Sequence, residues 1–179
     1  LEGAALLNDV SRWTRGEEVD DVSRAGRLFD WTVRNILPQP TLTGRGGEDM
    51  VQVLQFPWET LLFGAGTAEE HAWLFILLAR QQGLDAALLS IAEPAASETT
   101  AAAETAAPRL RPWAVALLSE GKLYVYDPAL GLPIPAKNGI SLDESGQLRI
   151  HPATFDALTA DDSLLRKLDG DAAHPYPVT

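Results

Sequence analysis

Apolar residues return at helical spacing over the first part of the chain. Residues 4–14 and 17–36 each place an apolar side chain every three or four positions, which is typical of an amphipathic helix. Residues 37–50 hold two prolines and three glycines and predict a loop. Pro57 then suits the first position of a short helix that a following glycine would end.

The segment GTAEEHAWLFILLARQQGLDA, residues 66–86, carries the clearest helix signal. Thr67 and Glu70 have the spacing of a capping box, in which each side chain accepts a hydrogen bond from the other residue's backbone N–H. Every residue from 72 to 79 is apolar. The pattern therefore predicts a helix that is buried on nearly all sides, with Trp73 in the core.

Strand patterns dominate the second half of the chain. Residues 85–91 predict a buried strand, because an apolar run follows a glycine at the end of the helix. Residues 111–118 and 123–128 flank the turn SEGK and predict an antiparallel hairpin. Between these strands, residues 93–108 consist of alanine, threonine, glutamate, serine and proline and predict a mobile surface insertion.

The last part of the chain shows shorter signals. They are a strand at 147–150, helical pieces at 152–158 and 161–170, and a possible strand at 176–179. Asp161 and Asp162 suit the start of the second helical piece, where the helix dipole favours negative charge. The order of elements predicts one α+β domain over residues 1–179.

Composition excludes several classes of function. A net charge of -11 would repel phosphate backbones, so no nucleic acid partner is expected. No apolar run is long enough for a membrane span. The chain has no cysteine, which excludes a thiolate nucleophile and a cysteine-based zinc site.

The three histidines do not indicate a metal site. His71 falls in an acidic first turn beside Glu69 and Glu70, while His151 and His174 lie far along the chain. A single histidine without a nearby second one is a weak metal signal, and His71 is expected at the surface. We therefore expect neither a metal nor another cofactor.

Three segments carry a resemblance to a known family. FDWTVRNI (29–36), the segment 66–86 and PWAVALLSEGKLYVYDPALGLPIP (112–135) resemble the transglutaminase-like branch of the papain-type cysteine peptidase fold. The resemblance covers about residues 17–135. It implies N-terminal helices and a central buried helix packed on a small antiparallel sheet. It also implies a catalytic cysteine at the start of that helix, a histidine on the next strand and an aspartate one strand later.

Two of these three catalytic positions hold other residues in this chain. The cysteine position falls on Ala68, the histidine position on Pro112 to within two residues, and the aspartate position on Asp127. No histidine lies on the predicted hairpin. The resemblance therefore implies an inactive relative, expected to be part of a longer bacterial protein and to serve as a binding or structural module for proteins or peptides.

Some residues beside these positions could belong to a substrate groove. Trp58, Thr67, His71 and Trp113 could line the family's substrate groove, although Trp113 alternates with Val115 and Leu117 and is expected to pack on their face of the strand.

The competing hypothesis is a hydrolase or acyltransferase that works in this groove without a thiol. Thr67, Glu70, His71 or Asp127 would then activate water or a hydroxyl group. Asp127 followed by proline is equally typical of a turn, so its role stays open at this point.

Overall fold

The structure is a computed structural model that describes residues 2–40, 54–93, 109–143, 145–171 and 175–178. The predicted mobile insertion, apart from its first residue, lies outside these ranges. Among the described residues, no helix has the length and apolar character that crossing a membrane requires.

Four helices form one layer of the fold. They are α1 (Glu2–Arg15), α2 (Asp21–Asn35), α3 (Pro57–Phe63) and α4 (Ala68–Gln81). The side chain of Asp20 caps α2 by accepting a hydrogen bond from the backbone N–H of Ser23 at 2.8 Å, so this helix begins four residues later than the apolar pattern predicts. Gly64 ends α3 in a left-handed conformation with φ of 65°, as predicted.

The strands form one four-stranded sheet and two smaller pairs. They are β1 (Leu37–Pro38), β2 (Ala65–Gly66), β3 (Asp85–Glu93), β4 (Arg109–Ser119), β5 (Lys122–Asp127), β6 (Leu132–Pro133), β7 (Pro135–Leu142) and β8 (Leu148–Pro152). The main sheet is antiparallel with the order β3-β4-β5-β6, which confirms the predicted hairpin. β1 pairs with β2 in parallel, and β7 pairs with β8. Two short helices follow, α5 (Phe155–Ala160) and α6 (Ser163–Arg166).

The two faces of the main sheet pack against different parts of the chain. On one face, α4 contacts β3 and β4 and also the other three helices of its layer. Phe29, Phe75 and Tyr126 meet there with ring centroids 5.1 to 5.7 Å apart. The other face carries Val125 and buries apolar side chains of α5, α6 and the C-terminal segment. The described part of the chain is therefore a mixed helix and sheet fold with two apolar cores.

The face predicted for Trp113 is wrong because β4 contains a bulge. Leu89 pairs with Ala114, whereas Ser90 pairs with Pro112, so Trp113 is an extra residue without a partner in β3. A bulge interrupts the alternation of side chains along a strand. The indole consequently packs in the second core, whereas Val115 lies in the helix-side core.

Other local predictions also need correction. β3 is an edge strand with several exposed residues, not a buried strand. Leu37 and Pro38 form a short strand inside the predicted loop. Trp73 is 39% exposed, because its side of α4 is left open by the described part of the chain.

The predicted last strand is absent from residues 176–178. The backbone groups of these residues bond to side chains and not to a neighbouring strand. Asp169 accepts the N–H of Tyr176 at 2.7 Å, and Arg166 donates to the carbonyl oxygens of Tyr176 and Val178. The strand β7, by contrast, was not predicted from the sequence.

Candidate functional site

The start of α4 holds a buried carboxylate whose two oxygens accept backbone hydrogen bonds. Glu70 Oε2 accepts the N–H of Thr67 at 2.7 Å, and Oε1 accepts the N–H of Gln55 at 2.7 Å. In return, Thr67 Oγ1 accepts the N–H of Glu70 at 3.3 Å. This confirms the predicted capping box. Glu70 is only 2% exposed, so this carboxylate serves the helix start and the chain before α3.

His71 is buried, and the prediction that it lies at the surface is wrong. Its Nδ1 lies 2.7 Å from the carbonyl oxygen of Thr67, and its Nε2 lies 3.0 Å from the carbonyl oxygen of Ile36. The ring therefore lies between its own helix and the end of α2, which explains its 3% exposure. Because a carbonyl oxygen carries no proton, neither of these neighbours offers the ring a proton to remove.

Ala68 is the first residue of α4 and is half-buried. Its methyl group occupies the end of the helix at which unpaired backbone N–H groups and the dipole favour negative charge. No acid, base or nucleophile is present in this side chain. Trp58 lies on the neighbouring helix α3, where 42% of its surface is exposed.

Asp127, at the end of β5, is the centre of a second buried polar cluster. Its Oδ1 accepts the backbone N–H groups of Ala129 at 2.7 Å and Leu130 at 3.0 Å, which is the turn role expected of an aspartate before proline. Its Oδ2 accepts the hydroxyl of Tyr176 at 2.5 Å. Asp127 therefore acts as a turn residue and also orients another side chain.

Tyr176 joins Asp127 to Trp113. The indole Nε1–H of Trp113 donates to the Tyr176 hydroxyl oxygen at 2.7 Å, and the hydroxyl donates in turn to Asp127. Burial, with the hydrogen bond to Asp127 as the second cause, raises the pKa of Tyr176 well above its ordinary value. The phenol consequently stays protonated at neutral pH and is not a base.

Sequence reasoning missed Tyr176 because it lies 49 residues beyond Asp127 and was assigned to a strand. A single tyrosine in the tail gave no signal of this contact. Pro112, the position expected for the histidine, pairs with Ser90 beside the bulge and carries no ionisable group.

The structure thus forms two separate groups from the predicted site residues. Thr67, Glu70 and His71 contact one another at the start of α4, and Asp127 is joined to Trp113 through Tyr176. Within the described ranges, no hydrogen bond links the two groups, and no three acidic or histidine side chains are placed to hold a metal ion.

Comparison with solved structures shows a protease-like fold. A proposed protease from Parabacteroides distasonis matches with a TM-score of 0.52 and 13% identity, over 83% of this chain and 28% of that protein. A proposed cysteine protease from Cytophaga hutchinsonii matches at a TM-score of 0.48 and 15% identity, over 84% of this chain and 42% of that protein. The chain thus spans less than half the length of either protein. Comparison with family models and with curated proteins found no match.

Proposed function

We propose that this chain is a catalytically inactive transglutaminase-like domain that serves as a binding or structural module for proteins or peptides. The observation that carries the proposal is the hydrogen bonding of Asp127. Asp127 Oδ2 is the oxygen that does not bond to the turn, and in an active relative it would orient a histidine. Here it accepts a hydrogen bond from the hydroxyl of Tyr176. The chain also has no cysteine that could act as the nucleophile.

The start of α4 supports the same conclusion. A threonine hydroxyl acts as a nucleophile only with a base within about 2.6 to 3.2 Å. His71 directs both ring nitrogens to carbonyl oxygens, and Glu70 directs both carboxylate oxygens to backbone N–H groups. Thr67 therefore lacks an activating base among these neighbours, which argues against an enzyme that works there without a thiol.

Exposed aromatic side chains support a binding role. Phe56 and Phe63 are each 67% exposed, and they lie on or next to α3 together with the partly exposed Trp58. Exposed aromatic side chains on one short element are a feature of many contact surfaces. They lie beside the helix start that an active relative would use for catalysis.

The proposal is tested with two assays on the purified chain. Fluorescein-labelled casein reports peptide hydrolysis, and unlabelled casein with a fluorescent primary amine reports acyl transfer. We expect no time-dependent product in either assay. The matched variants Thr67→Ala and Asp127→Asn serve as controls, with circular dichroism to verify that both are folded. Product formation that either substitution abolished would contradict the proposal.

A further inference from the structure

The outer edge of β3 is a long row of backbone groups at one side of the main sheet. β3 has nine residues and stands first in the order β3-β4-β5-β6, so among the described residues only its β4 side pairs with another strand. In an antiparallel pair, alternate residues direct their N–H and C=O groups away from the neighbouring strand. Within the described ranges, no backbone hydrogen bond reaches the outward groups of β3.

The opposite edge of the same sheet is closed. β6 has two residues, one of them Pro133, which lacks an N–H group. Beyond it, Ile134 donates to the carbonyl of Val125 at 3.1 Å, and Ala153 donates to the carbonyl of Ile134 at 2.6 Å. This edge is therefore short, contains proline and is covered by the following chain, which are common ways of preventing further strand pairing.

Among the residues that the structure describes, β3 has none of these protective features. Its residues from Ala86 to Ala92 are uncharged and include no proline. The extra residue of the bulge belongs to β4, so β3 itself runs without interruption. Ala87 and Ser90 are small and exposed, which leaves room for another backbone alongside. Such an edge favours the addition of an extended strand.

Charge indicates what kind of strand would bind. Asp85 is exposed at the start of β3 and lies opposite Leu118, next to Ser119 and Glu120. Glu120 also borders a cavity of about 450 Å³ whose lining includes two further carboxylates, those of Asp20 and Asp21. Two basic groups lie near this end, Lys122 opposite Ser119 and Arg24, which pairs with Asp21 at 3.1 Å. The four carboxylates outnumber these two cations.

We infer that the outer edge of β3 binds an extended segment of another polypeptide, with a basic side chain of that segment placed at the Asp85 end. The backbone of the segment would extend the sheet, and the basic group would face the carboxylates at that end. A second copy of this chain fits less well, because each copy carries a net charge of -11. The inference rests on the proposed binding role and not on the absence of catalysis.

The test uses a synthetic peptide as long as β3, with alternating threonine and valine residues and one terminal lysine. The peptide is titrated into the isotope-labelled chain, and nuclear magnetic resonance follows the backbone amides. We expect chemical shift changes concentrated on residues 85–92. At ten times the dissociation constant, the outward amides of β3 should exchange with solvent about tenfold more slowly.

Matched variants separate backbone pairing from charge. A peptide N-methylated at alternate positions should not bind, because it cannot donate hydrogen bonds along one edge. Asp85→Lys should weaken binding about threefold to fivefold, as expected for one exposed ion pair. Asp9→Lys makes the same charge change at an exposed position on α1 and should leave binding unchanged.

Three outcomes would overturn the inference. Chemical shift changes around Trp58 instead of β3 would exclude the β3 edge as the binding site but would agree with the binding role of the proposed function. The absence of any binding would remove the edge as a docking site for such segments. Dimers in sedimentation experiments, with β3 amides protected in the absence of peptide, would assign the edge to a second copy. Hydrolysis or acyl transfer in the assays described above would instead contradict only the inactive character of the domain.

Discussion

The two buried polar clusters satisfy their hydrogen bonds in different ways. At the start of α4, Thr67, Glu70 and His71 bond mostly to backbone groups, several of them within four residues along the chain. At the end of β5, Asp127 relies on Tyr176, and Tyr176 on Trp113, across 49 and 63 residues of sequence. The first cluster is the more local one, with its longest contacts spanning 15 residues to Gln55 and 35 residues to Ile36. The second cluster joins segments that lie further apart along the chain.

The difference shows what each cluster does for the fold. The local cluster secures the start of a helix, where unpaired N–H groups always need acceptors. The distant cluster secures the C-terminal segment against the sheet. In both places the polar side chains are engaged in structural hydrogen bonds.

The largest expected effect comes from removing the carboxylate of the local cluster. Glu70→Ala leaves the N–H groups of Thr67 and Gln55 without their acceptor. Hydrogen bonds to a buried charged group are worth the most, so we expect the free energy of unfolding to fall by about 3 kcal/mol in urea denaturation. Glu69→Ala, at the half-buried neighbouring position, should cost less than about 1 kcal/mol. Equal losses would mean that helix charge, and not the capping box, stabilises this helix start.

A smaller loss of stability is expected when the hydroxyl of Tyr176 is removed from the distant cluster. Tyr176→Phe removes one hydroxyl but takes the hydrogen-bond partner from both Asp127 Oδ2 and Trp113 Nε1, so the free energy of unfolding should fall by about 2 kcal/mol. Tyr124→Phe is the control, since the hydroxyl of Tyr124 makes no hydrogen bond within the described ranges. A double-mutant cycle with Trp113→Phe should give a coupling of at least about 0.5 kcal/mol. Strict additivity would show that the three side chains do not form one network.

The smallest effect concerns alkaline pH. Burial is the main cause that raises the pKa of both Tyr176 and Tyr126. A raised pKa means that the folded state holds the phenolic proton more tightly than the unfolded state does. The contribution of this raised pKa to the free energy of unfolding is therefore fully present below the ordinary tyrosine pKa of about 10 and is lost as the pH rises above it.

Denaturation series above that pH separate the two tyrosines. The unsubstituted chain should lose about 1 kcal/mol more per pH unit than Tyr176→Phe, because one titrating phenol has been removed. The remaining dependence of the variant reports Tyr126. Parallel pH profiles would indicate that Tyr176 reaches solvent in the folded state.

The sequence predicts the local features of this fold better than the distant ones. The capping box of Thr67 and Glu70, the start of α3 at Pro57 and the β4–β5 hairpin all follow from neighbouring residues, and the structure confirms them. Hydrophobic periodicity also predicts α2 and α4. These signals depend on spacings of a few residues, which a single sequence displays directly.

The errors concern features that depend on the rest of the chain. The burial of His71 depends on the carbonyl of Ile36, which lies 35 residues away. The orientation of Trp113 depends on a bulge, which only the pairing with Leu89 and Ser90 reveals. The contact of Tyr176 with Asp127 depends on the packing of the C-terminal segment in the second core. None of these follows from local spacing.

The bulge at Trp113 also has a consequence for how β4 can change in length. A deletion elsewhere in a strand shifts one side of it by a residue and exchanges its inward and outward side chains. Deletion of Trp113 would instead bring Pro112 next to Ala114 and restore regular pairing with Ser90 and Leu89. The β3–β4 pairing would become regular, but the indole that donates a hydrogen bond to Tyr176 would be lost. Gain or loss of this one residue therefore links strand register to the anchoring of the C-terminal segment.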